Sequence, residues 1–154
     1  MSKDRFILLD AGAARPGRIP VPPAFAVKAR TEDTEGRFSL LEVVVAQEIP
    51  RHVHHRADEA IYVLAGKLTV EFDDRVHTAT EGQFVLLPHG VPHALRPGSA
   101  PPPRVIQISS PGGWERFVED LIEARTEISV GGKPNPTKLN PIAARYHITY
   151  QEPS

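Results

Sequence analysis

The stretch Arg51-His52-Val53-His54-His55-Arg56-Ala57-Asp58-Glu59 gathers the residue types that bind transition metals. Residues two apart in an extended strand point the same way, so His52 and His54 can present two imidazoles to one point while Val53 faces away. The polar segment after them can turn the chain so that Glu59, opening the next strand, returns to that point from the neighbouring strand. A carboxylate there adds the negative charge that neutral imidazoles lack. A second stretch, GQFVLLPHGVPH from Gly82 to His93, ends an apolar strand in a Pro-x-Gly turn and then supplies His93 where a re-entering strand would aim it inward. Three nitrogens and one oxygen suit one divalent transition metal ion: Fe, Mn, Ni, Co, Cu or Zn. An octahedral ion so held keeps two positions for water, substrate or dioxygen, which is the setting for Lewis-acid or oxidative chemistry.

These side chains need a frame of short strands. Sixteen prolines and eleven glycines punctuate brief apolar runs, a pattern that suits an all-β fold better than a helical bundle. Strands are expected at Phe25 to Arg30, Phe38 to Ala46, Ala60 to Leu64, Lys67 to Phe72, Arg75 to Ala79, Phe84 to Leu87 and Val105 to Ser109. In Lys67 to Phe72 the alternation is clean, with Leu68, Val70 and Phe72 on one face. The run FSLLEVVVA is apolar on both faces and predicts a strand buried on both sides; with FVLLP it predicts a homodimer. Arg15 to Pro23 is too proline-rich for a helix or central strand and reads as an arm, one that could wrap a neighbouring subunit. After Pro111-Gly112-Gly113 the period changes: Trp114, Phe117, Val118, Leu121 and Ile122 predict an amphipathic helix over roughly 113–125 on the outside of the barrel. Gly131 to Pro136 reads as a loop, and Pro141 to Tyr146 as a last short helix before an extended tail.

Composition narrows the classes. At 154 residues the chain is expected to be one domain, residues 1–154. A formal net charge of −1 offers no field for nucleic acid or an anionic membrane. The absence of cysteine excludes disulfides, iron–sulfur clusters and thiolate metal sites. The apolar run Phe6 to Leu9 is too short for a signal peptide or a membrane span, so a cytoplasmic location is expected.

The two histidine stretches resemble the paired motifs of the cupin superfamily, HxHx4Ex6G followed by Gx5PxGxxH. They are met by His52, His54, Glu59 and Gly66, then by Gly82, Pro88, Gly90 and His93, with fifteen residues between Gly66 and Gly82. Ala46 and Pro97 replace a glycine and an asparagine of the wider pattern, and neither position supplies a ligand. The likeness runs through roughly residues 36–112. It implies a double-stranded β-helix, the jelly-roll barrel of cupins, with one or two C-terminal helices packed outside. The order of segments is similar to the small single-domain cupins of the quercetin-dioxygenase-like type. That implies a dioxygenase acting on an apolar aromatic or enolic small molecule, with Glu59 doubling as catalytic proton acceptor. A non-redox cyclase or isomerase, or a binding module without turnover, stays open because one scaffold hosts many chemistries.

Other residues receive plainer readings. The family spacing and the reach of glutamate favour Glu59 over Asp58, which is expected in a turn. His55, His77, His89 and His147 are expected at the surface, with His89 able to line the rim. Trp114 and Phe117 are expected as packing, and Arg51 and Arg56 as solvated charges. The inward phase of Glu59 carries Ile61, Val63 and Ala65, and that of His93 carries Val91 and Leu95, so an apolar substrate pocket is expected among them.

Overall fold

The computed structural model describes residues 2–152 of the chain; Met1 and the last two residues lie outside it. Nine strands come first: β1 (Phe25–Ala29), β2 (Ser39–Val44), β3 (Ile49–His54), β4 (Asp58–Ala65), β5 (Lys67–Phe72), β6 (Arg75–Thr80), β7 (Phe84–Leu87), β8 (His93–Pro97) and β9 (Arg104–Ser110). Three helices follow, α1 (Trp114–Glu123), α2 (Arg125–Ile128) and α3 (Pro136–Ala143). A two-strand hairpin of β10 (Ser129–Val130) and β11 (Lys133–Pro134) lies between α2 and α3, and β12 (Ile148–Tyr150) ends the chain's regular structure. The strands form two five-stranded antiparallel sheets, ordered β1-β2-β9-β4-β7 and β12-β3-β8-β5-β6. No helix of the described residues is long and apolar enough to cross a membrane.

Period-2 patterning explains the filling of the barrel. Leu41, Val43, Ile61, Val63, Leu68 and Val70 point inward and are almost fully buried. Burying one such side chain is worth about 1.5–3 kcal/mol, and all six belong to one buried core cluster. The strand expected to be buried on both sides is buried on one: Ser39, Leu41 and Val43 of β2 face in, while Leu40, Glu42 and Val44 are only half-covered. In a closed barrel the outer face has no second layer to pack against. For the same reason Tyr62, Phe84 and Leu86 stay exposed on the outside of β4 and β7.

The turns follow from backbone chemistry. Asp73 and Asp74, both at positive φ, make the two-residue hairpin between β5 and β6. Gly66 links β4 to β5 at φ +78°, and a Cβ there would meet the Pro103 backbone at 2.9 Å.

The N-terminal arm packs against helix α1 through Arg18. Helix α1 attracts it with carboxylates that the apolar spacing did not reveal. Glu119 is buried and accepts hydrogen bonds from Arg30 at 3.0 and 3.3 Å and from the Arg18 amide at 2.8 Å. A Cβ at Gly17 would strike the Glu119 carboxylate, so the arm can lie this close only with glycine there. The Arg18 guanidinium reaches Asp120 at 2.7 Å and Glu123 at 2.6 Å. Glu115, also buried, accepts from the hydroxyl and amide of Thr31.

Beyond α1 the segment expected as loop forms the β10–β11 hairpin, and the last helix starts earlier than expected. Asn135 caps α3 by accepting from the Lys138 amide, and Pro136 occupies its first turn, where a missing amide costs nothing. The tail then re-enters the barrel as β12 and pairs with β3.

Replacing Glu119 with alanine would take from Arg30 its buried carboxylate and leave it only the exposed Glu32. A loss of about 2–3 kcal/mol in urea unfolding is expected. A loss below about 1 kcal/mol would mean that the arm's ion pair does not hold α1 in place.

Candidate metal centre

The register places the three imidazoles. His52 lies directly opposite His93 in the β3–β8 ladder, and directly opposed residues of antiparallel strands project to the same face. His54, two residues on, shares that face. Glu59 arrives from the other sheet. The bend at residues 55–57 carries the chain across the barrel, so β4 faces β3 where an adjacent strand had been expected.

All four side chains are buried, and one ligand atom from each lies within 4.8 Å of every other. His52 Nε2 is 3.1 Å from His54 Nε2, while Glu59 Oε2 is 3.3 Å from His54 Nε2 and 3.6 Å from His93 Nε2. The Nδ1 of His52 donates to the Pro50 carbonyl at 2.7 Å, which leaves the Nε2 lone pair pointing inward. Burial, followed by the neighbouring His93 and His54, pushes His52 down to about 3, so it is the neutral, ligating form at pH 7. Burial alone would raise the Glu59 carboxyl, but the His54 and His93 rings that face it at 3.3 and 3.6 Å outweigh burial and hold the group below the usual carboxylate range.

The donors fit a divalent ion. Glu59 Oε2 and His93 Nε2 are buried without a hydrogen-bond partner among the described residues, and such orphans are costly unless something else satisfies them. One carboxylate and three neutral imidazoles would leave a divalent ion with a net charge of +1. Metals that accept nitrogen and oxygen ligands suit the set, and thiolate-preferring ones are not served.

Aromatic rings pack behind the ligands. Tyr150 stacks on His52 at 4.8 Å between centroids, and Trp114 sits 5.6 Å from His54. Tyr150 is held by Asn140, whose amide nitrogen donates to the Tyr150 carbonyl at 3.0 Å and whose oxygen accepts from the Tyr150 amide at 2.7 Å. The sequence reading had no role for Tyr150 or Asn140; the alternation of Ile148-Thr149-Tyr150 was the only available sign of a further strand. Gln107 was also missed. It lies opposite Ile61 on the inner face of β9, and neither atom of its amide has a partner among the described residues.

The remaining expectations sort as follows. Asp58 lies outside the cluster and accepts from the amide of His89 and from its Nδ1 at 2.7 Å, tying the Pro-x-Gly turn to β4. His55, His77, His89 and His147 are exposed. Trp114 and Phe117 are buried. Ile61, Val63 and Leu95 are buried in the hydrophobic core cluster and do not line the apolar cavity. The apolar cavity lies elsewhere, between the β2–β3 connection and helices α1 and α3. It measures about 430 Å³ and is lined by Phe25, Val45, Ile49, Leu121, Trp114 and Tyr150 among others.

Comparison with known proteins places this geometry. Residues 39–107 match the family model described as a cupin domain. Protein SchB of Streptomyces halstedii is 35% identical over 63 residues, a stretch spanning 41% of this chain and 46% of that protein, less than half the length of this curated relative. Ectoine synthase from P. lautus superposes with a TM-score of 0.51 at 23% identity, over 62% of this chain and 69% of that one, a likeness of fold alone. A cupin-2 domain containing protein from Shewanella frigidimarina is 26% identical over 56% of this chain and 78% of its own, with a TM-score of 0.47. The fold is a cupin β-barrel.

Two outcomes test the centre. Elemental analysis of protein purified without a metal-affinity step should find a transition metal that is lost in His52→Ala and His93→Ala; unchanged content in both variants would contradict the site. In chelator-treated protein, the unfolded chain binds a proton at His52 below about pH 6.5 that the folded chain refuses down to about 3. Stability is therefore lost as pH falls through that window, by about 1.4 kcal/mol per pH unit for one proton. Glu59 acts in the same sense, its contribution present above its unfolded pKa and lost on acidification. Thermal melts that rise or stay flat from pH 7 to pH 5 would contradict this.

Proposed function

We propose that this cupin barrel is a metal-dependent enzyme acting on an apolar aromatic or enolic small molecule, with dioxygen as co-substrate. One observation carries the reading. The two aromatic rings packed on the ligand imidazoles, Trp114 on His54 and Tyr150 on His52, also line the apolar cavity of about 430 Å³. A volume of that size suits a small ring system, and an apolar lining favours one with few polar groups.

A divalent ion bound by His52, His54, Glu59 and His93 supplies Lewis acidity toward an enol or phenol and, when redox-active, one-electron chemistry with dioxygen. The chain supplies the rest. Glu59, buried and held as the anion, is the one carboxylate of the cluster, and its carboxylate can take the proton of an incoming hydroxyl there. Trp114 and Tyr150 exclude water from one side of the centre, which strengthens electrostatic interactions there. Gln107, on the inner face of β9 with Glu59's neighbour Ser109, has an amide free to orient a bound polar group.

The test is an oxygen electrode with the flavonol quercetin as probe and protein reconstituted with iron, manganese or nickel. Oxygen uptake with a ring-opened product, reduced about 10²–10⁴-fold in Glu59→Gln at matched metal content, is expected. Turnover that persists without oxygen in zinc-loaded protein would replace the oxidative step with Lewis-acid chemistry. Saturable binding with no product under any metal would reduce the protein to a binding module.

A further inference from the structure

A second cleft, of about 280 Å³, opens beside the centre, and its lining differs from that of the apolar cavity. Its buried floor includes His54, Trp114 and Ser109. Ser109 lies directly opposite Glu59 in the β4–β9 ladder, so the floor touches one candidate ligand and the ladder neighbour of another. The rim carries Arg56, Arg116 and Arg145. Among the described residues no acidic side chain lines the cleft.

Three arginines bordering one space make it electropositive, and an anion there would be attracted by all three. Their existing partners only partly offset that charge. Arg116 reaches Glu32 at 3.2 Å, but Glu32 also binds Arg30. Arg145 is 3.8 Å from Asp120, which Arg18 holds more closely at 2.7 Å. Arg56 has no carboxylate partner among the described residues; its guanidinium donates to His147 Nε2 at 3.0 Å. The N-terminus of α1 also borders the cleft, since Gly112, Gly113 and Trp114 line it and Gly113, at the cap position, has no side chain to satisfy the first amides; the buried Glu115 of the first turn is taken up by Thr31.

We propose that this cleft binds an anionic group, a carboxylate or a phosphate, carried by the molecule that reacts at the centre. Guanidinium forks match both oxyanions with paired hydrogen bonds. Trp114 and His54 line the cleft, so an anion held by the arginines would sit beside the centre with an attached ring able to pack on Trp114. The inference rests on the proposed function for the reacting partner, and it narrows the substrate class from apolar aromatic to aromatic anion.

Trp114 is the single tryptophan of the chain, so its fluorescence reports on the cleft directly. Chelator-treated protein is titrated with benzoate, with its neutral isostere benzamide and with inorganic phosphate, which keeps the measurement independent of metal and turnover. Saturable quenching by benzoate or phosphate, with benzamide at least about tenfold weaker, is expected. The exposed residues Arg56 and Arg145 can be changed with little risk to folding, and Arg56→Gln and Arg145→Gln should each weaken anion binding about tenfold with unchanged circular dichroism. Benzoate binding without phosphate binding assigns a carboxylate, and phosphate binding without benzoate a phosphate. Equal binding of benzoate and benzamide, indifference to both substitutions, or no saturable anion binding overturns the proposal. Metal content measured on the same preparations reports separately on the centre, so failure of one reading is not mistaken for failure of the other.

Discussion

The structure depends on one pairing inside the barrel: His52 set directly opposite His93 across the β3–β8 ladder. Strand alternation lets one strand carry two inward imidazoles, but only the register between strands decides whether a third joins them. A slip of one residue would turn His93 to the outer face and dissolve the cluster. Much of the surrounding architecture fixes that register. The tail strand β12 pairs on the other side of β3, with Tyr150 opposite His52 and Ile148 opposite His54. Asn140 in turn clamps both backbone groups of Tyr150. The last fifteen described residues therefore act on the centre without supplying a ligand.

Burial gives this arrangement its chemical character. Four donors excluded from water, one of them a carboxylate with an oxygen that no protein group satisfies, form an unfavourable cluster unless a cation completes it. The cost is carried by a well-filled barrel end below and by the helical cap above. That cap is itself anchored by buried charge: Glu115 and Glu119 of α1 hold Thr31, Arg30 and the arm, so the wall carrying Trp114 is fixed by polar contacts on one face and apolar packing on the other.

Most of the barrel and its site was legible in the sequence because both depend on local periodicity. The period of two places His52 and His54 on one face, the motif spacing separates Glu59 from Asp58, and the Pro-x-Gly turn brings back His93. What could not be read depends on pairings distant in sequence. Whether β4 would lie beside β3 or across from it is decided by how residues 55–57 bend, and their polar composition allows either. The position of the apolar cavity is of the same kind: strand phase says that Ile61 and Val63 point inward, where they join the core cluster, but not that Trp114 and Tyr150 line a cavity. Arg56 and His147 looked like ordinary surface charges because the residues that make them part of a cleft, Arg116 and Arg145, lie on elements far along the chain. Tyr150 and Gln107 matter only through contacts across sheets, which no spacing rule encodes.

The central claim is that these four side chains form one coordination sphere. X-ray absorption spectroscopy at the edge of the metal that co-purifies with the protein tests it most directly. A shell of nitrogen and oxygen scatterers at about 2.0–2.2 Å, with the outer-shell pattern of about three imidazoles, is the predicted result. A shell of oxygen scatterers without imidazole features would contradict it.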